Sequence, residues 1–268
     1  MDELNTRALT RRKDSWFVRA GRRDPAVPNL YCFAHAGGSA EQFLAWQRSL
    51  AGVVNIVAMC PPGLAHRYTE PRCDDMISLA VSASAAIDSD ENRVPFMLFG
   101  HSFGALLAYE TCRLLDRPAA ELIVSGCAAP SWLPSREVVA MAALEGADFL
   151  DKVRIFGGIP TDVETDEIIN SYIVKKLKVD FTIIAKYLYV RDPLLNANVT
   201  TLNGVSDPHV SAEKVMAWSA TTTGTTLHHA IPGDHFYFNE RPDAVIEIIR
   251  ALSPTAHHRA PALDVRLI

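Results

Sequence analysis

The apolar stretch Val94-Pro95-Phe96-Met97-Leu98-Phe99 runs straight into Gly100-His101-Ser102-Phe103-Gly104 and then into Ala105-Leu106-Leu107-Ala108-Tyr109. A short apolar run bounded by glycine reads as a buried strand, and the apolar spacing from Phe103 onward reads as a helix. The chain must therefore turn from strand to helix within about three residues. Gly100 and Gly104 stand two before and two after Ser102, where any side chain would collide with the neighbouring strand and helix. A strand that gives way so abruptly to a helix commits the chain to layered α/β architecture.

The rest of the sequence has the same rhythm. Strand-like runs recur at 29–34, 53–59, 94–99, 121–126, 199–204 and 225–231, alternating with helical spacing at 40–50, 74–88, 103–116, 211–219 and 241–252. This alternation predicts a mostly parallel central sheet with helices on both faces. One interval, Pro130 to Pro193, contains two stretches of helical spacing and no strand. It reads as a helical lid inserted over the carboxyl edge of the sheet, where open α/β sheets bind ligands. The expected organisation is a core of residues 15–129 and 194–252, a lid of 130–193, a flexible N-terminus of 1–14 and a flexible tail of 253–268.

Composition narrows the function classes. Hydrophobic residues at 49% and charged residues at 21% describe an ordinary globular chain, and a net charge of -5 offers no electrostatic footprint for nucleic acid or an anionic membrane. The charged N-terminus lacks the apolar core of a secretory signal, and no apolar run approaches a membrane span, so a cytoplasmic location is expected. The five cysteines are odd in number and include no C-x-x-C pair, which points to neither zinc nor a disulfide framework. No cofactor and no metal are expected. Asn198-Val199-Thr200 matches a glycosylation sequon but is discounted in a chain without a signal.

A serine at such a turn can act as a nucleophile only with a base, and the base needs an orienting acid. In strand-turn-helix arrangements of this kind the order is Ser, then Asp or Glu, then His. Among the downstream histidines, His228 and His229 fall within a strand pattern, His257 and His258 fall in the tail, and His209 qualifies by order alone. His235, in Pro232-Gly233-Asp234-His235-Phe236, lies directly past a strand end and is the best candidate base. Asp207 lies just past the preceding strand and is the best acid, ahead of Asp192 and Asp234, neither of which follows a strand. An oxyanion needs backbone donors: the N–H of Phe103 at the helix start, and that of Ala36 in the loop His35-Ala36-Gly37-Gly38 after the first long strand.

Together FAHAGGSA, PPG at 61–63, FGHSFGALLAYE, SGCAAP, LNGVSD and GDHFYF resemble, in order, the type II thioesterases of polyketide and nonribosomal peptide pathways, within the α/β-hydrolase superfamily. The likeness runs from Ser15-Trp16-Phe17 to Leu252. It implies hydrolysis of acyl groups from the phosphopantetheine arm of acyl or peptidyl carrier proteins by a monomeric, cytoplasmic enzyme, with that arm brought by the substrate. The family's serine, aspartate and histidine fall on Ser102, Asp207 and His235, and its lid over an acyl pocket falls on 130–193. Two stretches depart from the family pattern: Ala34-His35 stands where Pro-Tyr or Pro-His is usual, and Cys60-Pro61-Pro62-Gly63-Leu64 where Gln-Leu-Pro-Gly-Arg is common. The residues alone leave open an acyltransferase or cyclising release enzyme, a general carboxylesterase, and a non-catalytic binding protein on the same fold.

Overall fold

Short apolar runs build one sheet whose strands, among the described residues, are β1 (Phe17–Arg19), β2 (Asn29–Phe33), β3 (Asn55–Met59), β4 (Phe96–His101), β5 (Glu121–Ser125), β6 (Asn198–Gly204) and β7 (Thr226–Ile231). The computed structural model describes residues 16–90, 94–155 and 167–254. The expected flexible N-terminus (1–14), most of the expected tail and part of the lid interval lie outside the described residues. Ser253, where the tail was expected to start, is buried and donates its hydroxyl to the Val53 carbonyl at 3.2 Å.

The strand order is β1-β3-β2-β4-β5-β6-β7, parallel throughout except for β1, which pairs antiparallel with β3. This is the mostly parallel sheet expected, with β1 added: three residues are too few to show alternation. Register aligns the carboxyl ends. Phe33 pairs with Gly100, His101 with Ser125, Ser125 with Leu202, and Gly204 with Ile231. The loops after β2, β4, β5, β6 and β7 therefore leave one edge together.

Helices cover both faces: α1 (Glu41–Leu44), α2 (Met76–Asp88), α3 (Phe103–Arg113), α4 (Arg136–Ala143), α5 (Gly146–Ile155), α6 (Glu167–Ala185), α7 (Ala212–Met216), α8 (Tyr237–Glu240) and α9 (Pro242–Leu252). Tyr31, Phe33, Leu98 and Val124 face α2 and α3, while Leu30, Cys32, Met97 and Phe99 face α1 and α9. Each fully buried side chain of this size contributes about 1.5–3 kcal/mol relative to exposure. The helix α2 starts at Asp75, whose carboxylate accepts the Ser78 N–H at 2.7 Å as an N-cap.

The helices expected at 40–50 and 211–219 tighten into 3-10 turns over Ala45–Arg48 and Ala217–Thr221. In the second, Ser219 and Thr221 bond back to the carbonyls of Met216 and Trp218, three residues earlier, at 2.9 and 2.7 Å, which favours the tighter winding. In the interval after β5, the first expected helical stretch is broken in two. Leu144 turns extended at the end of α4, and Gly146 opens α5 with φ +53°. The ammonium of Lys178 in α6 donates to the carbonyls of Ala142 and Leu144, satisfying the end of α4. These helices share a small apolar cluster of Met141, Phe149, Val153, Leu177 and Phe181, against which Ala36 packs.

Candidate active site

The turn after β4 is held by sterics on both sides. A β-carbon on Gly100 would fall 2.2 Å from the Gly104 carbonyl oxygen, and one on Gly104 would fall 2.1 Å from that of Phe33. Between them Ser102 adopts φ +53°, ψ −117°, a conformation that L side chains rarely take. Its N–H donates to the Ser125 carbonyl at 2.8 Å, fastening the strained residue to β5. The serine is partly exposed and lines a cavity.

Two loops meet beyond the ends of β6 and β7. Asp207 Oδ1 accepts the N–H groups of His209 at 2.8 Å and Val210 at 3.2 Å, while its Oδ2 lies 2.8 Å from His235 Nδ1. Burial alone would raise the Asp207 carboxyl. The hydrogen bond and charge of His235 and the His209 N–H outweigh it and hold the group below its ordinary range. As an ionised acceptor it fixes Nδ1 as the protonated nitrogen and leaves Nε2 free to take a proton. Of the weaker acid candidates, Asp234 caps its own turn by accepting the Phe236 N–H at 2.8 Å. Asp192 offers its carbonyl to Arg113 at 2.9 Å.

Ser102, Phe103, His235 and Ala36 line one cavity of about 250 Å³. Leu106, Leu133, Val138, Val153, Phe181 and Ile184 give it an apolar lining, to which Ser135, Glu137 and Lys214 add polar groups. Neither the Phe103 nor the Ala36 N–H has a backbone acceptor among the described residues. Of the other histidines, His35 and His209 also line this space.

Three histidines surround His235. The His101 ring centre is 4.9 Å from that of His235, the His209 ring is 5.3 Å away edge-on, and His35 packs against His101 at 5.9 Å. Burial, reinforced by His235 and Lys176, pulls the His35 imidazole down to about 3, and burial, reinforced by His235 and His35, carries His101 well below the ordinary imidazole value. Both are neutral near pH 7 and so do not oppose a positive charge on their neighbour.

Several of these contacts have no sequence signature. His101 Nδ1 lies 2.8 Å from the Ser125 hydroxyl, which lies 2.5 Å from the Tyr237 hydroxyl, tying the serine turn to α8. The pairing of His101 with Ser125 follows from strand register, which local periodicity does not report. Lys176 and Asp180 on α6 reach the loop of Ala36. They were missed because helical spacing marks them only as polar positions. Among the described residues, no group of three or more His, Cys, Asp or Glu side chains converges as a metal-binding set. No helix there is long and apolar enough to cross a membrane.

Comparison with known proteins agrees with this geometry. The family model described as a thioesterase domain matches residues 28–252. Thioesterase PikA5 of Streptomyces venezuelae is 32% identical over 84% of this chain and 81% of its own. Linear gramicidin dehydrogenase LgrE of Brevibacillus parabrevis is 30% identical over 88% of this chain and 91% of its own. That name denotes an oxidoreductase. Here β2 runs into Ala34-His35-Ala36-Gly37-Gly38 rather than the Gly-x-Gly-x-x-Gly turn that receives a dinucleotide pyrophosphate. The structure of the type II thioesterase BorB, from the borrelidin biosynthetic cluster, superposes with a TM-score of 0.81 at 29% identity, covering 89% of this chain and 98% of that one. With its layered sheet, its strained serine and a family match across most of its length, this chain belongs to the thioesterase family and is a hydrolase of thioesters.

Proposed function

We propose that this thioesterase releases acyl groups from the phosphopantetheine arm of acyl or peptidyl carrier proteins in polyketide or nonribosomal peptide synthesis, through an acyl-Ser102 intermediate. The observation that carries the reading is the Asp207–His235 bond of 2.8 Å at the cavity that Ser102 also lines. In this reading His235 Nε2 takes the Ser102 proton as the hydroxyl oxygen attacks the thioester carbonyl. The N–H groups of Phe103 and Ala36 receive the developing oxyanion. Asp207 holds the tautomer and stabilises the imidazolium.

Collapse of the tetrahedral intermediate breaks the carbon–sulfur bond. The pantetheine sulfur, whose thiol has a pKa of about 8.5, leaves readily and takes the proton from His235, which returns the imidazole to its neutral form. Water then attacks the acyl-serine, His235 removes its proton, and the free acid departs with the serine hydroxyl restored. With His35 and His101 neutral, the charge that faces the imidazolium at hydrogen-bond distance is the Asp207 carboxylate. The apolar wall under α4 to α6 suits an acyl chain, and a substrate-borne phosphopantetheine makes a resident cofactor unnecessary.

The test is hydrolysis of a panel of acyl-loaded carrier proteins, with products identified by mass spectrometry and amine or alcohol acceptors present. Free acid from the parent and a loss of about 10⁶ in Ser102→Ala are expected. A Ser102→Ala enzyme working near the parent rate would overturn the mechanism. An ester or amide product would make the enzyme a transferase.

A further inference from the structure

The loop that carries Ala36 is a β-turn closed by the Gly38 N–H on the His35 carbonyl at 2.9 Å, with Gly37, its third residue, at φ +72°. Positive φ at that position is the mark of a type II turn. Type I and type II turns differ by a flip of the central peptide, here Ala36–Gly37, and glycine permits both. Something outside the turn must therefore choose.

The choice comes from α6. Asp180, buried and 143 residues downstream, accepts the Gly37 N–H on Oδ2 at 2.9 Å and is itself held on Oδ1 by Arg72 at 2.5 Å. One turn earlier on the same helix, the ammonium of Lys176 donates to the Gly38 carbonyl. Between them Leu177 presses on Gly37 so closely that a β-carbon there would fall 2.7 Å from Leu177 Cδ2. A buried ion pair is weak support for stability, since desolvation offsets most of its attraction. What the Arg72–Asp180 pair does hold is geometry.

We propose that Asp180 is a positioning residue that anchors the Gly37 N–H, and with it the position of the loop on which the neighbouring Ala36 N–H is carried, so that the oxyanion pocket is complete only while α6 is docked on the loop. This rests on the reading that Ala36 supplies an oxyanion donor. A helix of the acyl-covering layer then senses and licenses the chemistry beneath it. An acyl group seated against Leu177 and Phe181 stabilises the same docked position that aligns the donor.

The test compares Asp180→Asn and Asp180→Leu, both in an Arg72→Met background. Neither double variant leaves Arg72 or Asp180 as a lone buried charge, both remove the carboxylate facing Lys176 alike, and only the first keeps an oxygen for the Gly37 N–H. Substrates are acyl-N-acetylcysteamine thioesters, with active enzyme counted by fluorophosphonate labelling. The leucine variant is expected to lose about 10- to 100-fold in kcat with KM nearly unchanged, and to lose a similar factor in affinity for an alkyl trifluoromethyl ketone, whose adduct places an oxyanion in the pocket. The asparagine variant is expected to stay within about fivefold of the Arg72→Met enzyme. Equal kcat in the two double variants, or a loss confined to KM, would overturn the proposal.

Exchange of the Gly37 amide proton, read by NMR, does not depend on turnover. Protection retained with asparagine and lost with leucine supports the proposal, and equal protection in both refutes it. Should the leucine variant not fold, Lys176→Met breaks the Gly38 contact from the same helix face and is expected to lower kcat in the same manner, an unchanged kcat counting against the proposal. A parent enzyme inactive on every thioester, or an active Ser102→Ala, would instead sink the preceding reading.

Discussion

Asp207 divides its carboxylate between its own loop and His235, one oxygen accepting two backbone N–H groups and the other meeting the imidazole at 2.8 Å. A carboxylate held at both oxygens cannot rotate away from the ring. The local turn therefore does not compete with the histidine contact but orients it.

Asp207→Asn keeps the shape and the loop bonds but presents an amide to Nδ1, which stabilises the wrong tautomer. The expected loss in kcat is about 10⁴, as in other serine–histidine–aspartate triads, with a fold indistinguishable by circular dichroism. Single-turnover kinetics on an acyl-pantetheine thioester give the measurement. A loss below tenfold would remove the aspartate from the proposed mechanism.

Gly104→Ala is expected to destabilise the protein by at least about 3 kcal/mol, because the new methyl group would have to sit 2.1 Å from the Phe33 carbonyl oxygen and 2.5 Å from that of Ala34. Both obstacles are backbone, so no rotamer change relieves them. Urea unfolding of parent and variant measures the difference. Gly21→Ala, whose β-carbon would meet nothing within 4 Å, serves as the comparison, costing only the strain of its positive φ.

Acid should weaken the fold through its buried histidines. Burial pulls His35 down to about 3 in the folded chain and holds His101 well below its ordinary value, whereas both take up protons at about 6.5 when unfolded. Below that pH the unfolded state binds more protons, so stability falls as pH falls, by up to about 1.4 kcal/mol per pH unit for each histidine. Thermal melts between pH 7 and 5 should show a declining Tm, with a shallower decline in His35→Gln. The depressed Asp207 carboxyl acts lower down: its contribution is present above the ordinary carboxylate range and is lost only in stronger acid.

Cavity length should set acyl preference. Ala128 lines the cavity of about 250 Å³, and Ala128→Leu places three further carbons in that space. The longest acyl chains accepted by the parent should lose about fourfold in kcat/KM for each methylene displaced, while acetyl and propionyl thioesters keep their rates. A chain-length series on one thioester leaving group reads the effect, and a uniform loss across all lengths would contradict it.

The parallel sheet and the gathering of loops at one edge were readable because each strand ends in a local signal: glycine after Phe99, Asn203-Gly204 after Leu202, Pro232-Gly233 after Ile231. Chain order together with position just past a strand end then singled out Asp207 and His235 from several acids and histidines, and the structure brings those two into contact. Other elements were not readable. β1 is too short to alternate, the tightening of a helix into 3-10 turns depends on serine and threonine hydroxyls bonding back, and Gly146 divides a stretch whose apolar spacing is continuous. The grip of Asp180 on Gly37 spans 143 positions, and its existence depends on the path of α6 rather than on any nearby pattern. Long-range register and helix docking are decided by the whole fold.

The loops bearing Asp207 and His235 follow the last two strands of the sheet, whereas Ser102 lies before the midpoint of the chain. During synthesis the nucleophile thus leaves the ribosome more than a hundred residues before the base that activates it. Under the proposed mechanism a nascent polypeptide is chemically silent until the segment carrying His235 has been made and folded onto the sheet, and cleavage of acyl cargo begins only then.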